Sequence, residues 1–252
     1  MKKNIMMRLA SFLLVAVLIS TSAISGTYAK YVTEASGNDV ARVAQWGVQL
    51  RVNGNAFSDV YEGDAMVGYS VDSNNGDLVV APGTTYANNT LFAISGTPEV
   101  AVSIEAVLAD GYKDVFLKAG TYTDFTKVTG YDASNIPTYG TFTLANDYYP
   151  VEYTLTQVAA GVAPMAPVTG NLETIKNALA TYTASADYVP NTNLDSVFTL
   201  SWKWDFNVND QADTWLGNAA AGIFYDTVTE GMDKDYCTDI AFEVTVKATQ
   251  ID

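Results

Sequence analysis

From Phe198 to Val208 the chain reads Phe-Thr-Leu-Ser-Trp-Lys-Trp-Asp-Phe-Asn-Val, with a large apolar residue at every second position and Thr199, Ser201, Lys203 and Asp205 among the residues between them. A period of two gathers these apolar groups on one face of a strand, whereas a helix would scatter them. At about 1.5 to 3 kcal/mol for each fully buried large side chain, the six contribute on the order of 10 kcal/mol before chain entropy is subtracted. A strand of this kind belongs at the centre of a sheet with a second layer over its apolar face.

The partners of that strand are written elsewhere in the same pattern. Val100, Val102, Ile104, Ala106 and Leu108 share one parity, with Ala101, Ser103, Glu105 and Val107 on the other. Ile240, Phe242, Val244, Val246 and Ala248 alternate in the same way, and Leu91 to Ile94 and Val151 to Val158 add two more strands. Turn chemistry separates the strands: Asn53-Gly54-Asn55, Ser73-Asn74-Asn75-Gly76, Ala81-Pro82-Gly83 and Ser95-Gly96-Thr97-Pro98. One stretch departs from period two. Leu172, Ile175, Leu179 and Tyr182 recur at spacings of three and four behind Asn171, with Glu173 in the first turn, and predict a capped amphipathic helix over about 171–182. A shorter helix fits Ala212 to Ala221, around Trp215 and Leu216. The fold class expected is mainly β: an antiparallel β-sandwich with one substantial inserted helix.

At the other end, Lys2, Lys3 and Arg8 precede an uncharged apolar run from Leu9 to Ile24, closed by small residues and Ala29. That is the layout of a secretory signal peptide, a helix cleaved between Ala29 and Lys30, with a cut after Ala23 as the alternative. A membrane anchor competes with this reading, but the run is shorter than the roughly 18 residues of a spanning helix, and Ser20, Thr21, Ser22 and Ser25 dilute it. Beyond the cut, Val40, Ala44, Trp46, Val48, Leu50 and Val52 share a parity and predict a half-buried strand. The polar leader before it is either a disordered tail or a donor that adds to a neighbouring subunit's sheet. On the donor reading, Val43, Trp46, Val48 and Leu50 are the anchoring side chains. The chain then divides into a signal peptide, 1–29, an N-terminal donor segment, 30–52, and a single β-sandwich domain, 53–252.

The sequence GTYAKYVTEASG, followed by WGVQL, resembles the start of the TasA and camelysin family of secreted matrix-fibre proteins of Gram-positive bacteria. The likeness continues in Ala81-Pro82-Gly83-Thr84, TLFAISG, PEVAVSIEAVLA, FTLSWKWDF, ADTWLGNAAAG and AFEVTVKATQ, while Gly111 to Pro150 has no counterpart. What the resemblance implies is a jelly-roll topology, processing by a SipW-type signal peptidase and a homopolymer as the working state. It also implies location in the extracellular matrix or at the cell surface, where other matrix proteins or glycans are partners.

Composition removes several other functions. There is no histidine, so imidazole bases, His-based triads and HExxH zinc sites are excluded. The single cysteine, Cys237, forms no internal disulfide and no thiolate metal site. No Gly-rich phosphate loop is present. A secreted hydrolase would need paired carboxylates, and nothing selects a pair, so the chain is read as not an enzyme. Removing three basic and no acidic residues with the signal peptide takes the net charge from −15 to −18, which repels nucleic acid. No cofactor is expected beyond calcium, for which Asp205, Asp210 and Asp213, with Asn207 and Asn209, supply oxygen ligands without the EF-hand order. A solvated loop is the alternative for that cluster. The aromatic residues between Gly111 and Pro150 fit ordinary sheet, or a platform for a glycan or protein ligand on a monomeric binding module.

Overall fold

A computed structural model describes residues 42–53, 56–57, 60–61, 71–72, 76–222 and 235–251. The expected signal peptide, the cleavage position at Ala29 and Lys30 and the leader to residue 41 lie outside these residues, as does Ile223-Phe224-Tyr225. Two compact units are distinguished, residues 1–45 and Trp46–Asp252. All the sheets described below belong to the second.

The protein is mainly β, with antiparallel pairing throughout. The strands are β1 (Gln49–Val52), β2 (Val60–Tyr61), β3 (Val71–Asp72), β4 (Thr85–Ser95), β5 (Val102–Leu108), β6 (Phe116–Leu117), β7 (Gly120–Tyr131), β8 (Pro137–Leu144), β9 (Val151–Ala159) and β10 (Val168–Gly170). Helix α1 (Leu172–Thr183) follows, then β11 (Asp187–Tyr188), β12 (Ser196–Trp204), helix α2 (Asp210–Ala220), β13 (Tyr236–Cys237) and β14 (Val244–Gln250). A five-stranded sheet has the order β1-β4-β12-β9-β10, and a three-stranded sheet the order β11-β5-β14. Their apolar faces share one core, a sandwich arrangement.

The strand with the strongest alternation takes the central place. β12 pairs with β4 on one side and β9 on the other, in register from Ser196–Ala159 to Trp204–Val151 along β9. Phe198, Leu200, Trp202 and Trp204 are buried, and Phe198 stacks on Phe92 of β4 at 4.2 Å between ring centroids. From the three-stranded sheet, Val102, Ile104, Ala106 and Leu108 of β5 fill the same core. The alternation does not continue as strand beyond Trp204. Phe206 and Val208 are exposed, because the chain turns there and Asn209 caps α2, its side chain accepting from the Ala212 amide. The expectation of six buried residues on this face is corrected to four.

Helix α1 forms where its spacing places it. Asn171 Oδ1 accepts from the Thr174 amide at 3.0 Å, and Leu172, Ile175, Ala178, Leu179 and Tyr182 are buried. The Tyr182 ring meets Phe198 edge-on at 4.9 Å. The C-terminal end of α1 also finishes the free side of β5. β11 pairs with Val102 and Ser103, the Ala186 carbonyl accepts from Ile104, and Thr183 Oγ1 both accepts from the Ala106 amide and donates to its carbonyl. Beyond the two residues paired with β11, the edge of β5 is thereby satisfied without a strand.

The aromatic stretch from Gly111 to Pro150, which fits ordinary sheet or a ligand platform by sequence, contains a long hairpin, β7 with β8, closed by a turn in which Asp132 Oδ1 accepts from the amides of Ser134 and Ile136. α2 packs against this hairpin, with Trp215 edge-on to Tyr122 and Gln211 donating to Asp124.

Candidate functional site

The N-terminal strand is shorter and more exposed than its parity predicts. Among its described residues only Gln49–Val52 is strand, and all four residues are exposed. Gly47 has a positive φ of 60°, which ends the extended backbone just before β1. Its carbonyl passes so close to Gly96 that a Cβ there would lie 2.0 Å from the oxygen. The last residues of the expected donor segment, 30–52, are here paired within their own chain. Trp46 to Val52 belongs to the compact unit, and β1 pairs with β4 of its own chain, Leu50 opposite Ile94 and Val52 opposite Phe92.

Of the proposed anchoring residues, Val48 packs against the core. Trp46, Leu50 and Val52 are 40%, 38% and 48% exposed, and Val43, in the unit before them, 88%. The outer side of β1 has no strand partner among the described residues, nor has the outer side of β14. The two strands run close to each other at the same side of the sandwich. An edge strand carrying exposed apolar side chains is the arrangement to which another strand adds.

The acidic cluster does not converge. Asp205 pairs with Lys203 at 2.9 Å. Asp210 opens α2, and Asp213 lies on the buried face of that helix with Ala212, Trp215 and Leu216. Acids in a first helical turn face the positive end of the helix dipole, which accounts for Asp210 without a metal. Asp213 Oδ1 accepts from Tyr148 at 2.8 Å and from Trp204 Nε1 at 3.0 Å. Among the described residues no group of three or more acidic or thiol side chains is arranged to hold a metal ion. The structure does not bring together Asp205, Asp210 and Asp213, the expected calcium ligands.

Among the described residues, Asp213 and Asp114 are the two buried acids, each 6% exposed. Asp114 Oδ2 accepts from the Leu172 amide at 2.9 Å, at the start of α1, and Oδ1 from Tyr153 at 3.2 Å. Burial pushes both carboxyls up to about 6, against the hydrogen bonds that favour their charged forms. Asp213 has the weaker set of partners, since its Oδ2 has none.

Beside Asp114 opens a cavity of about 390 Å³. Its walls come from four separated segments: Tyr112 to Phe116, Tyr149, the start of α1 at Asn171 and Glu173, and Tyr236 with Cys237 of β13. The pairing of β13 with β6 holds the last of these in place, Tyr236 opposite Leu117 and Cys237 opposite Phe116. Tyr112 donates to Glu173, which keeps that carboxyl below its usual range, and the Phe116 and Tyr149 rings lie 5.9 Å apart. Sequence reasoning took the aromatic residues of Gly111 to Pro150 together. The structure brings Tyr112, Phe116 and Tyr149 to the cavity and packs Tyr122, Phe125, Tyr139 and Phe142 around the hairpin. Nothing in the local pattern marks Asp114 as buried or joins it to Tyr236.

In comparisons with protein-family models, curated proteins and solved structures, nothing matches this chain.

Proposed function

We propose that this chain is an exported structural subunit that assembles with copies of itself into extracellular fibres of a biofilm matrix or cell surface. The segment upstream of Trp46 adds as a strand to the sheet of a neighbouring subunit. The observation that carries this reading is β1: an edge strand whose outer side has no partner among the described residues, with apolar Leu50 and Val52 exposed on it and Trp46 exposed just before it. Backbone hydrogen bonds along such an edge supply affinity, and alternate side chains set the register. A contact of this kind is heterologous, so it propagates without closing.

The resemblance to the TasA and camelysin family supports the same reading and adds its finer parts. These are the jelly-roll topology, processing at Ala29 and Lys30 by a SipW-type signal peptidase, a Gram-positive surface as the location, and other matrix proteins or glycans as further partners. No catalysis and no nucleic acid enter the proposal. A monomeric binding module is the competing reading, and the aromatic cavity is what favours it.

The test compares the chain as its producing cell processes it with a chain beginning at Gln45, which keeps Trp46, Val48 and β1. Filaments from the first, with a folded monomer from the second, support assembly through the upstream segment. A folded processed chain that stays monomeric at high concentration overturns it. Leu50→Lys, which places a charge on the edge, is expected to suppress growth while leaving the fold intact.

A further inference from the structure

The charges around the cavity are unevenly matched. Lys113 lies 2.8 Å from Asp239, Lys176 2.8 Å from Asp110 and Lys118 4.0 Å from Asp235, and all three of these acids are exposed. Asp114, Asp147 and Glu173 make no salt bridge within 4 Å among the described residues. Asp114 and Glu173 line the cavity, and with Asp147 they add to the effect of burial in raising the Tyr149 hydroxyl above its ordinary range. The walls carry four rings, Tyr112, Phe116, Tyr149 and Tyr236, beside Asp114, Glu173 and Lys113, whose ammonium is paired with Asp239. One ring already faces an ammonium, for Lys176 Nζ stands 5.7 Å from the centroid of Tyr112.

A ligand that suits this site has to be both apolar and positive. A neutral sugar would stack on the rings and leave the negative field unanswered. A metal ion would have to give up water against largely apolar walls, with no converging set of oxygens to replace it. An organic ammonium places hydrocarbon against the rings and its charge in the field of the acids and the ring faces. We propose that this cavity binds the alkylammonium end of a small amine or of a lysine side chain. The volume, about 390 Å³, lies in the range of small-molecule sites. The site is independent of the β1 edge, so it stands or falls separately from assembly.

The test is a titration of the processed chain by calorimetry and amide NMR with three probes: n-pentylammonium, n-pentanol and Nα-acetyl-lysine N-methylamide. Pentylammonium is expected to bind saturably, shifting amides at 112–116 and 149, and to bind at least about ten-fold more tightly than pentanol. Two variants carry the argument. Glu173→Gln keeps an acceptor for Tyr112 and is expected to weaken the ammonium at least about three-fold without changing pentanol. Tyr149→Leu keeps an apolar wall and is expected to weaken the ammonium about two- to five-fold, the size of an exposed cation–π contact. Melting curves confirm that each variant is folded. Should either fail to fold, the comparison of pentylammonium with pentanol on the parent chain decides. Binding of the lysine amide assigns the source to a peptide, and binding of pentylammonium alone assigns it to a free amine. The proposal is overturned by the absence of saturable binding, by pentanol binding as tightly as the ammonium, or by Glu173→Gln leaving the ammonium affinity unchanged.

Discussion

Acidification from pH 7 to pH 5 is expected to stabilise this fold, and the cause is assigned to Asp114 and Asp213. Each carboxyl is pushed from an ordinary 3.8 to about 6 by burial. The folded state therefore holds these protons more tightly than the unfolded state does. The stability this contributes is fully present below about pH 4 and is lost as pH rises through about 6. Between pH 7 and pH 5 each group contributes about 1.3 kcal/mol, and the two together on the order of 2.6 kcal/mol. General relief of the chain's negative charge acts in the same direction, so the variants have to separate the two causes. Asp114→Asn keeps an oxygen for the Leu172 amide, and Asp213→Asn keeps one for Tyr148 and Trp204. Urea unfolding followed by tryptophan fluorescence is the assay, with the slope in denaturant checked for constancy. The double variant is expected to lose about 2 to 3 kcal/mol of the gain on acidification. A parent protein that weakens between pH 7 and pH 5, or a double variant with the full gain, would refute the reasoning.

Three further outcomes follow from the packing. Thr183→Val keeps the shape but removes the hydroxyl that serves both backbone groups of buried Ala106, and is expected to cost about 1 to 3 kcal/mol in chemical unfolding. Asn171→Ala removes the cap of α1 and is expected to cost about 0.5 to 2 kcal/mol, measured in the same way. Gly96→Ala places a methyl against the Gly47 carbonyl, on a backbone with φ of 119°, and is expected to speed hydrogen exchange in β1 more than in β9. Equal protection of β1 in parent and variant would count against the close approach as the reason for glycine.

The elements whose side chains alternate around a buried core were the most legible. β5, β9, β12 and α1 all lie where spacing places them, because each buries one face and the pattern records it. Legibility failed where a strand met water or another element. In β1 the parity of Leu50 and Val52 is that of a buried face, but an edge position leaves both exposed. Phe206 and Val208 continue the alternation of β12, yet Asn209 wins the backbone for a helix, and the acids behind it then lie in its first turn. Asp213 was readable in principle, since it shares a helix face with Ala212, Trp215 and Leu216. The cavity was not readable, because Asp114, Tyr149, Glu173 and Tyr236 meet only through non-local contacts, Leu117 with Tyr148, Asp114 with Leu172 and Leu117 with Tyr236.

The pairing of β5 with β14 bears on the order in which the chain can fold as it emerges from the ribosome. β5 ends at Leu108 and its partner does not begin until Val244, while β4 has to wait for β12, which ends at Trp204. Neither sheet can be completed from the first half of the sequence. Non-local pairing of this kind is slow to form and leaves apolar strands uncovered in the meantime. For much of its synthesis the polypeptide must persist as an open chain, and mutual repulsion among its 28 acidic residues then keeps neighbouring nascent copies apart.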